Sequence, residues 1–151
     1  AFARKCPLYA VDTLAAMAAT PLASPLPRDV LAVLDARRGE VYAARFTITA
    51  TGLQRTMPDR CTALATVLDA LPVRTELVGP ASVLGQATLA AYTTHAAPGI
   101  SGEGLWTAAA VAVRTSEPAD LDHQDAVYLR PSYAEQAVHK PKRAAFHSPY
   151  V

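Results

Sequence analysis

Asp35, Arg37, Arg38 and Glu40 form the densest charged cluster of the chain, around a glycine at position 39. Carboxylates and guanidiniums set this close on a turn can converge on a charged ligand or a partner surface, and the same residues also make an ordinary solvated turn. Asp35 directly follows the apolar run 30–34, so a carboxylate stands at a strand end, where general acid or base chemistry is a third use. Further on, Gly99-Ile100-Ser101-Gly102-Glu103 nearly spells the Gly-x-Ser-x-Gly nucleophile elbow, but the last position is Glu103. Elbow glycines are needed because backbone crowds the serine from both sides, so the segment reads instead as Ser101 capping a helix, with a weak anion site at the helix start as the chemical alternative. Its glycines do not follow the dinucleotide spacing and bring no lysine of a phosphate loop. His95, His123, His139 and His147 lie far apart, and no pair of them shares one helix face. Cys6 and Cys61 have neither Cys-x-x-Cys spacing nor a nearby histidine, and no metal centre is expected.

These side chains need elements to hold them. Asp12 reads as the N-cap of a short amphipathic helix, with Leu14, Met17 and Ala18 on one face, preceded by an extended strand over 7–11. Pro21, Pro25 and Pro27 stop that helix and mark a connector, because proline lacks the N–H a helix needs and clashes with the preceding turn. Val30–Leu34 and Glu40–Thr49 then form the clearest hairpin, with Ala36-Arg37-Arg38-Gly39 as its turn and Gly39 able to take positive φ. Thr51-Gly52 turns into a third strand over 53–57, and Asp59 is expected to cap a helix reaching Leu71. A buried strand at 76–78, a helix at 83–90, a short strand at 92–95 and a helix at 105–114 follow, the last expected to be the most buried. A final extended piece covers 126–130.

The chain has 151 residues, of which 51% are hydrophobic and 18% charged, with a net charge of +1. That composition excludes a disordered chain and leaves no global field for nucleic acid or a membrane surface. Alanine supplies 32 residues, so helices and aliphatic strands are expected to approach closely. No apolar run is long enough to span a bilayer, and the sparse cysteines fit a reducing, cytoplasmic setting. The stretch 136–151 carries Lys140, Lys142 and Arg143 and no acid. With Phe146 and Tyr150 it has the makeup of an RNA contact, charge for phosphates and rings for bases, and equally that of a solvated tail.

The run Val30-Leu31-Ala32-Val33-Leu34-Asp35-Ala36-Arg37-Arg38-Gly39-Glu40-Val41-Tyr42 closely resembles a signature segment of the TsaB (YeaZ) family, bacterial proteins of tRNA threonylcarbamoyladenosine biosynthesis. Cys6-Pro7-Leu8-Tyr9-Ala10-Val11-Asp12-Thr13-Leu14 and Tyr128-Leu129-Arg130-Pro131-Ser132-Tyr133-Ala134-Glu135 are similar in kind and order to two further stretches of that family. The resemblance implies an α/β fold of the actin/Hsp70-like, ribonuclease H-like kind, in which two subdomains each open with a three-stranded meander. On this reading residues 1–27 are a remnant of the first subdomain, which is otherwise largely missing. Residues 28–135 are the second subdomain, and 136–151 a basic tail.

By resemblance, a member of this family is a partner rather than the catalyst. It binds a TsaD-like enzyme that carries the metal ligands, together with a TsaE-like ATPase, through helices of the first subdomain. The resemblance puts Asp35, Arg37, Arg38, Glu40 and Arg130 forward as motif or partner residues, assigns no catalytic or metal-binding residue, and admits ATP or ADP only at a complex interface. Transfer RNA is reached indirectly or through the basic tail. Two other readings stay open: a nucleotide-binding phosphotransferase or ATPase of the same fold, using Asp35 and the helix start at Ser101–Gly104, and a self-associating interaction module or homodimer built on alanine-rich helices.

Overall fold

Apolar residues at successive positions 30–33 make a strand that must be covered on both faces, and the computed structural model shows how. It describes residues 6–21, 24–72, 74–85, 89–120 and 129. β1 (Arg28–Asp35) pairs antiparallel with β2 (Glu40–Ile48), from Arg28 opposite Ile48 to Asp35 opposite Val41, and β2 pairs antiparallel with β3 (Leu53–Ala63). The chain then crosses to β4 (Glu76–Gly79), which lies parallel to β1, and on to β5 (Thr94–Ala96), parallel to β4. The sheet order is β3-β2-β1-β4-β5. An antiparallel meander extended by two parallel strands is the mixed α/β arrangement implied for an actin-like, ribonuclease H-like subdomain.

Side-chain alternation divides the core. Val30 and Ala32 of β1, Ala44, Phe46 and Ile48 of β2 and Val78 of β4 face α1 (Thr13–Ala18). Leu31, Val33, Val41, Ala43 and Leu77 face α2 (Leu64–Leu68) and α3 (Ala81–Leu84). α4 (Gly102–Thr115) does not reach the sheet core; it packs on the back of α1, where Ala16, Ala19 and Ala108 form a small cluster. The approach there is so close that a Cβ on Gly104 would stand 2.3 Å from the carbonyl oxygen of Ala16.

Asp12 caps α1 as expected, its Oδ1 accepting from the Ala15 N–H at 2.9 Å. Its other oxygen pairs with Arg55 of β3 at 3.0 Å. Arg55 also pairs with Asp59 and lies over the buried Phe46 ring, 4.8 Å from its centre. One guanidinium thus ties the start of α1 to the edge strand and to the core.

Several elements differ from the sequence reading. No strand forms over 7–11, because the sheet offers it no neighbouring strand; Leu8 C=O instead accepts one bond from Ala119 N–H at 2.7 Å. Asp59 caps no helix: β3 runs on to Ala63, since the first half of β2 needs a ladder partner. Between Ala43 opposite Arg60 and Phe46 opposite Arg55, β2 advances three residues and β3 five, and Pro58, which has no N–H to offer, sits in that bulged stretch. The bulge brings Arg55 and Asp59 into contact, a pairing that a regular strand would keep apart. α2 is consequently short; α3 begins earlier, at Ala81, and β5 is shifted to Thr94–Ala96.

α4 is not the most buried helix. Its second layer position leaves Leu105, Trp106 and Val113 at 45%, 76% and 54% exposed, whereas Leu14 to Ala18 of α1 are all buried. Apart from Leu129, the extended piece expected at 126–130 and the tail lie outside the described residues.

Two substitutions test this packing. Gly104→Ala should lose about 1–3 kcal/mol in urea unfolding, the usual cost of overpacking, while Gly102→Ala, with nothing within 4 Å of its added carbon, should leave stability nearly unchanged. Arg55→Met keeps the aliphatic cover but leaves Asp12 and Asp59 without their cation, and should lower stability by about 1–2 kcal/mol in the same measurement.

Candidate functional site: the β1–β2 turn

The central antiparallel pair delivers its turn beyond the core as a ladder-held projection. Ala36 N–H bonds Glu40 C=O and Glu40 N–H bonds Arg37 C=O, both at 3.0 Å. Gly39 takes φ +77°, as its residue type allows, but Arg37 and Arg38 also lie at φ +66° and +57°. The closing bond from Glu40 to Arg37 leaves Arg38 and Gly39 as the two central residues of a turn, and positive φ at both is the requirement of the mirror-image hairpin turn that matches strand twist. Glycine or asparagine meets that requirement cheaply, whereas each arginine costs about 1–2 kcal/mol against its preferred conformation.

Asp35 holds the entry to the turn, its Oδ1 accepting from the Arg37 N–H at 2.7 Å. Ala36 is buried beneath, anchoring the loop, while Asp35, Arg37, Arg38 and Gly39 are exposed. Glu40 is half-buried at the start of β2, and Cys61 of β3 directs its Sγ towards Glu40 Oε2 at 4.0 Å. The fold therefore gathers Asp35, Arg37, Arg38 and Glu40 on one projection, two acids at its base and two guanidiniums at its tip. Arg130 lies outside the described residues, as do His123, His139, His147, Lys140, Lys142 and Arg143.

Ser101 is spent on structure. Its Oγ accepts from the Gly104 N–H at 2.9 Å as the N-cap of α4 and lies 3.4 Å from Thr20 Oγ1 at the end of α1. The hydroxyl is wedged against α1 rather than presented at a strained strand-to-helix elbow. The glycines around it serve the approach of two helices.

A second polar constellation had no signal in the sequence, because its members are far apart in the chain. Glu76 Oε2 accepts from Ser24 Oγ at 2.7 Å and lies 2.6 Å from His95 Nε2. His95 on β5 is thus a hydrogen-bonded residue, held by the first residue of β4. Serine, histidine and carboxylate here are in the wrong order for a nucleophile: an activated serine needs the imidazole beside it and the carboxylate behind the imidazole, whereas this carboxylate stands between the two. Arg28 Nη1 donates to Ser24 C=O at 2.9 Å, so the cluster pins the connector to the sheet. Among the described residues no three His, Cys, Asp or Glu side chains converge as a metal set, and no helix is long and apolar enough to cross a membrane.

Residues 1–147 match the family described as TsaD, tRNA N6-adenosine threonylcarbamoyltransferase. No curated protein sequence matches the chain significantly. Among solved structures, an uncharacterized Pseudomonas aeruginosa protein with similarity to the peptidase YeaZ superposes with a TM-score of 0.70 at 21% identity, over 85% of this chain and 62% of that one. YeaZ from Pseudomonas aeruginosa superposes with a TM-score of 0.64, also at 21% identity, over 81% of this chain and 58% of the other. The chain therefore spans about three fifths of the length of these structures, which share its fold.

The strain in the turn is measurable. Arg38→Gly should raise the unfolding free energy by about 1 kcal/mol in urea melts by relieving a left-handed arginine; an unchanged or lowered stability would show that the arginine side chain repays its backbone cost within the fold.

Proposed function

The chain belongs to the TsaD family, and on that premise we propose that it acts as a TsaB-like, non-catalytic partner subunit in making N6-threonylcarbamoyladenosine in tRNA, in the cytoplasm. The reading rests on the β1–β2 turn. Two consecutive arginines sit in a backbone conformation that glycine or asparagine would adopt more cheaply, at an exposed tip. A stability cost borne at an exposed, positively charged projection fits recognition of an acidic or hydrogen-bond-accepting partner surface.

A partner role also agrees with how the other polar groups are used. Ser101 caps a helix and closes on α1, Glu76 stands between Ser24 and His95, and both oxygens of Asp12 are engaged by Ala15 and Arg55. None of these three constellations presents a nucleophile with its base. The proposed partners are a TsaD-like enzyme and, in the same complex, a TsaE-like ATPase, with tRNA met through the assembly and ATP or ADP held only at its interface. Asp35 and Glu40 serve this reading as the base of the turn, Asp35 by holding the Arg37 N–H, and Arg37 and Arg38 as its contact groups.

Calorimetric titration of the chain against a purified TsaD-like enzyme, with and without ATP, tests the proposal. Reversing both charges in Arg37→Glu/Arg38→Glu should weaken the complex at least about tenfold while the circular dichroism spectrum stays unchanged, the scale expected for a charge pair at an interface. Unchanged affinity in that double variant would remove the turn from the interface. Absence of any complex, with ATP binding to the chain alone, would favour the phosphotransferase reading instead.

A further inference from the structure

The hairpin turn accounts for two of its three left-handed residues. Closure by the bond from Glu40 N–H to Arg37 C=O makes Arg38 and Gly39 the central pair, and strand twist asks positive φ of both. Arg37 stands one position earlier, where the turn type makes no such demand, yet its φ is +66°. The contact that holds it there comes from Asp35, whose Oδ1 accepts from the Arg37 N–H at 2.7 Å. This is an Asx turn, in which a side-chain oxygen takes the part of a backbone carbonyl. Asp35 and Arg37 carry opposite charges two residues apart, yet no ion pair joins them. Among the described residues the Arg37 guanidinium takes part in no ion pair, hydrogen bond or ring contact. Arg38 differs, being engaged within the molecule.

We infer that Asp35 is a positioning residue and that Arg37, rather than Arg38, is the main contact of the turn, taken by a carboxylate on the partner's surface. The inference rests on the partner role proposed above and names the chemistry of that site. Asp35 is committed to the Arg37 backbone, so the guanidinium beside it stays unpaired. A salt bridge between the two side chains would instead neutralise both and close the contact group to any partner. A guanidinium presents paired donors in one plane, which match the two oxygens of a carboxylate. Holding its backbone in one conformation before the partner arrives reduces the freedom lost on binding. The base from which Asp35 acts is itself fixed, because Ala36 is buried and its N–H bonds Glu40 C=O at 3.0 Å.

Titration of single variants against a purified TsaD-like enzyme separates the roles. Arg37→Ala should weaken the complex about tenfold, and Arg38→Ala about threefold or less. Asp35→Ala removes a negative charge, which by itself would favour an acidic partner, yet it should weaken binding about fivefold through the loss of the turn bond. Asp35→Asn keeps an oxygen that accepts from the Arg37 N–H and should restore affinity to within about twofold of the parent. Amide hydrogen exchange reads the bond itself: the Arg37 N–H should be protected in the parent and the asparagine variant and exchange faster in the alanine variant. Parental affinity in Asp35→Ala would overturn the positioning role, and an asparagine variant as weak as the alanine one would do the same by showing that the charge meets the partner. A greater loss in Arg38→Ala than in Arg37→Ala would overturn the assignment of the contact. Failure of the parent chain to bind, seen before any variant is made, would refute the partner role and the contact at Arg37 with it.

Discussion

The structure depends on one constraint, the burial of β1 on both faces. Val30, Leu31, Ala32 and Val33 are all fully removed from solvent, which a strand achieves only as an inner member of a sheet with helices on either side. β2 and β4 satisfy its two edges, one antiparallel through a tight turn and one parallel after a crossover. α1 covers one face and α2 with α3 the other. Gly79 shows how tightly the parallel side closes, since an added Cβ would lie 2.6 Å from the carbonyl oxygen of Val33.

From that constraint follows the uneven treatment of the helices. α1 is pressed between the sheet and α4 and consists of residues small or flexible enough for it, alanines with Leu14 and Met17. α4 approaches α1 most closely at Gly104 and Ala108, with residues 109–112 half-buried and Leu105, Trp106 and Val113 left exposed. The helix is also anchored at its start, where Ser101 both caps the first turn and meets Thr20.

The hairpin turn is the other place where local preference yields. Its strands are held by a regular ladder, so the turn has little freedom to relax; the conformation that strand twist demands falls on Arg38 and Gly39, and Arg37 before them is left-handed as well. Under the partner role proposed above, this projection with two arginines would serve as a contact rather than as a solvated loop. Asp12, Ser24, Glu76, His95 and Ser101 are absorbed into caps and clasps.

Much of the meander was legible in the residues. Continuous apolar residues followed by Asp-Ala-Arg-Arg-Gly-Glu and an alternating run specify strand, turn and strand, and Asp12 and Ser101 announce helix starts through short side chains that can accept from the N–H three residues on. These are short-range effects, decided within a few positions. What the residues did not disclose was decided at long range. Pro58 and Asp59 read as a break and a cap, yet β2 required a partner and a bulge accommodated the proline. Alanine-rich α4 read as interior, yet the sheet was already covered by α1, and only the order of layers determines which side of a helix meets solvent. Ser24, Glu76 and His95 converge because β4 and β5 are parallel neighbours, a fact of topology. The sequence by itself determined the hairpin, its charged turn and the helix caps, because local hydrogen bonding and strand periodicity suffice for them; tertiary structure alone decided the left-handed arginines, the bulged edge and the open face of α4, because each depends on what another part of the chain has already occupied.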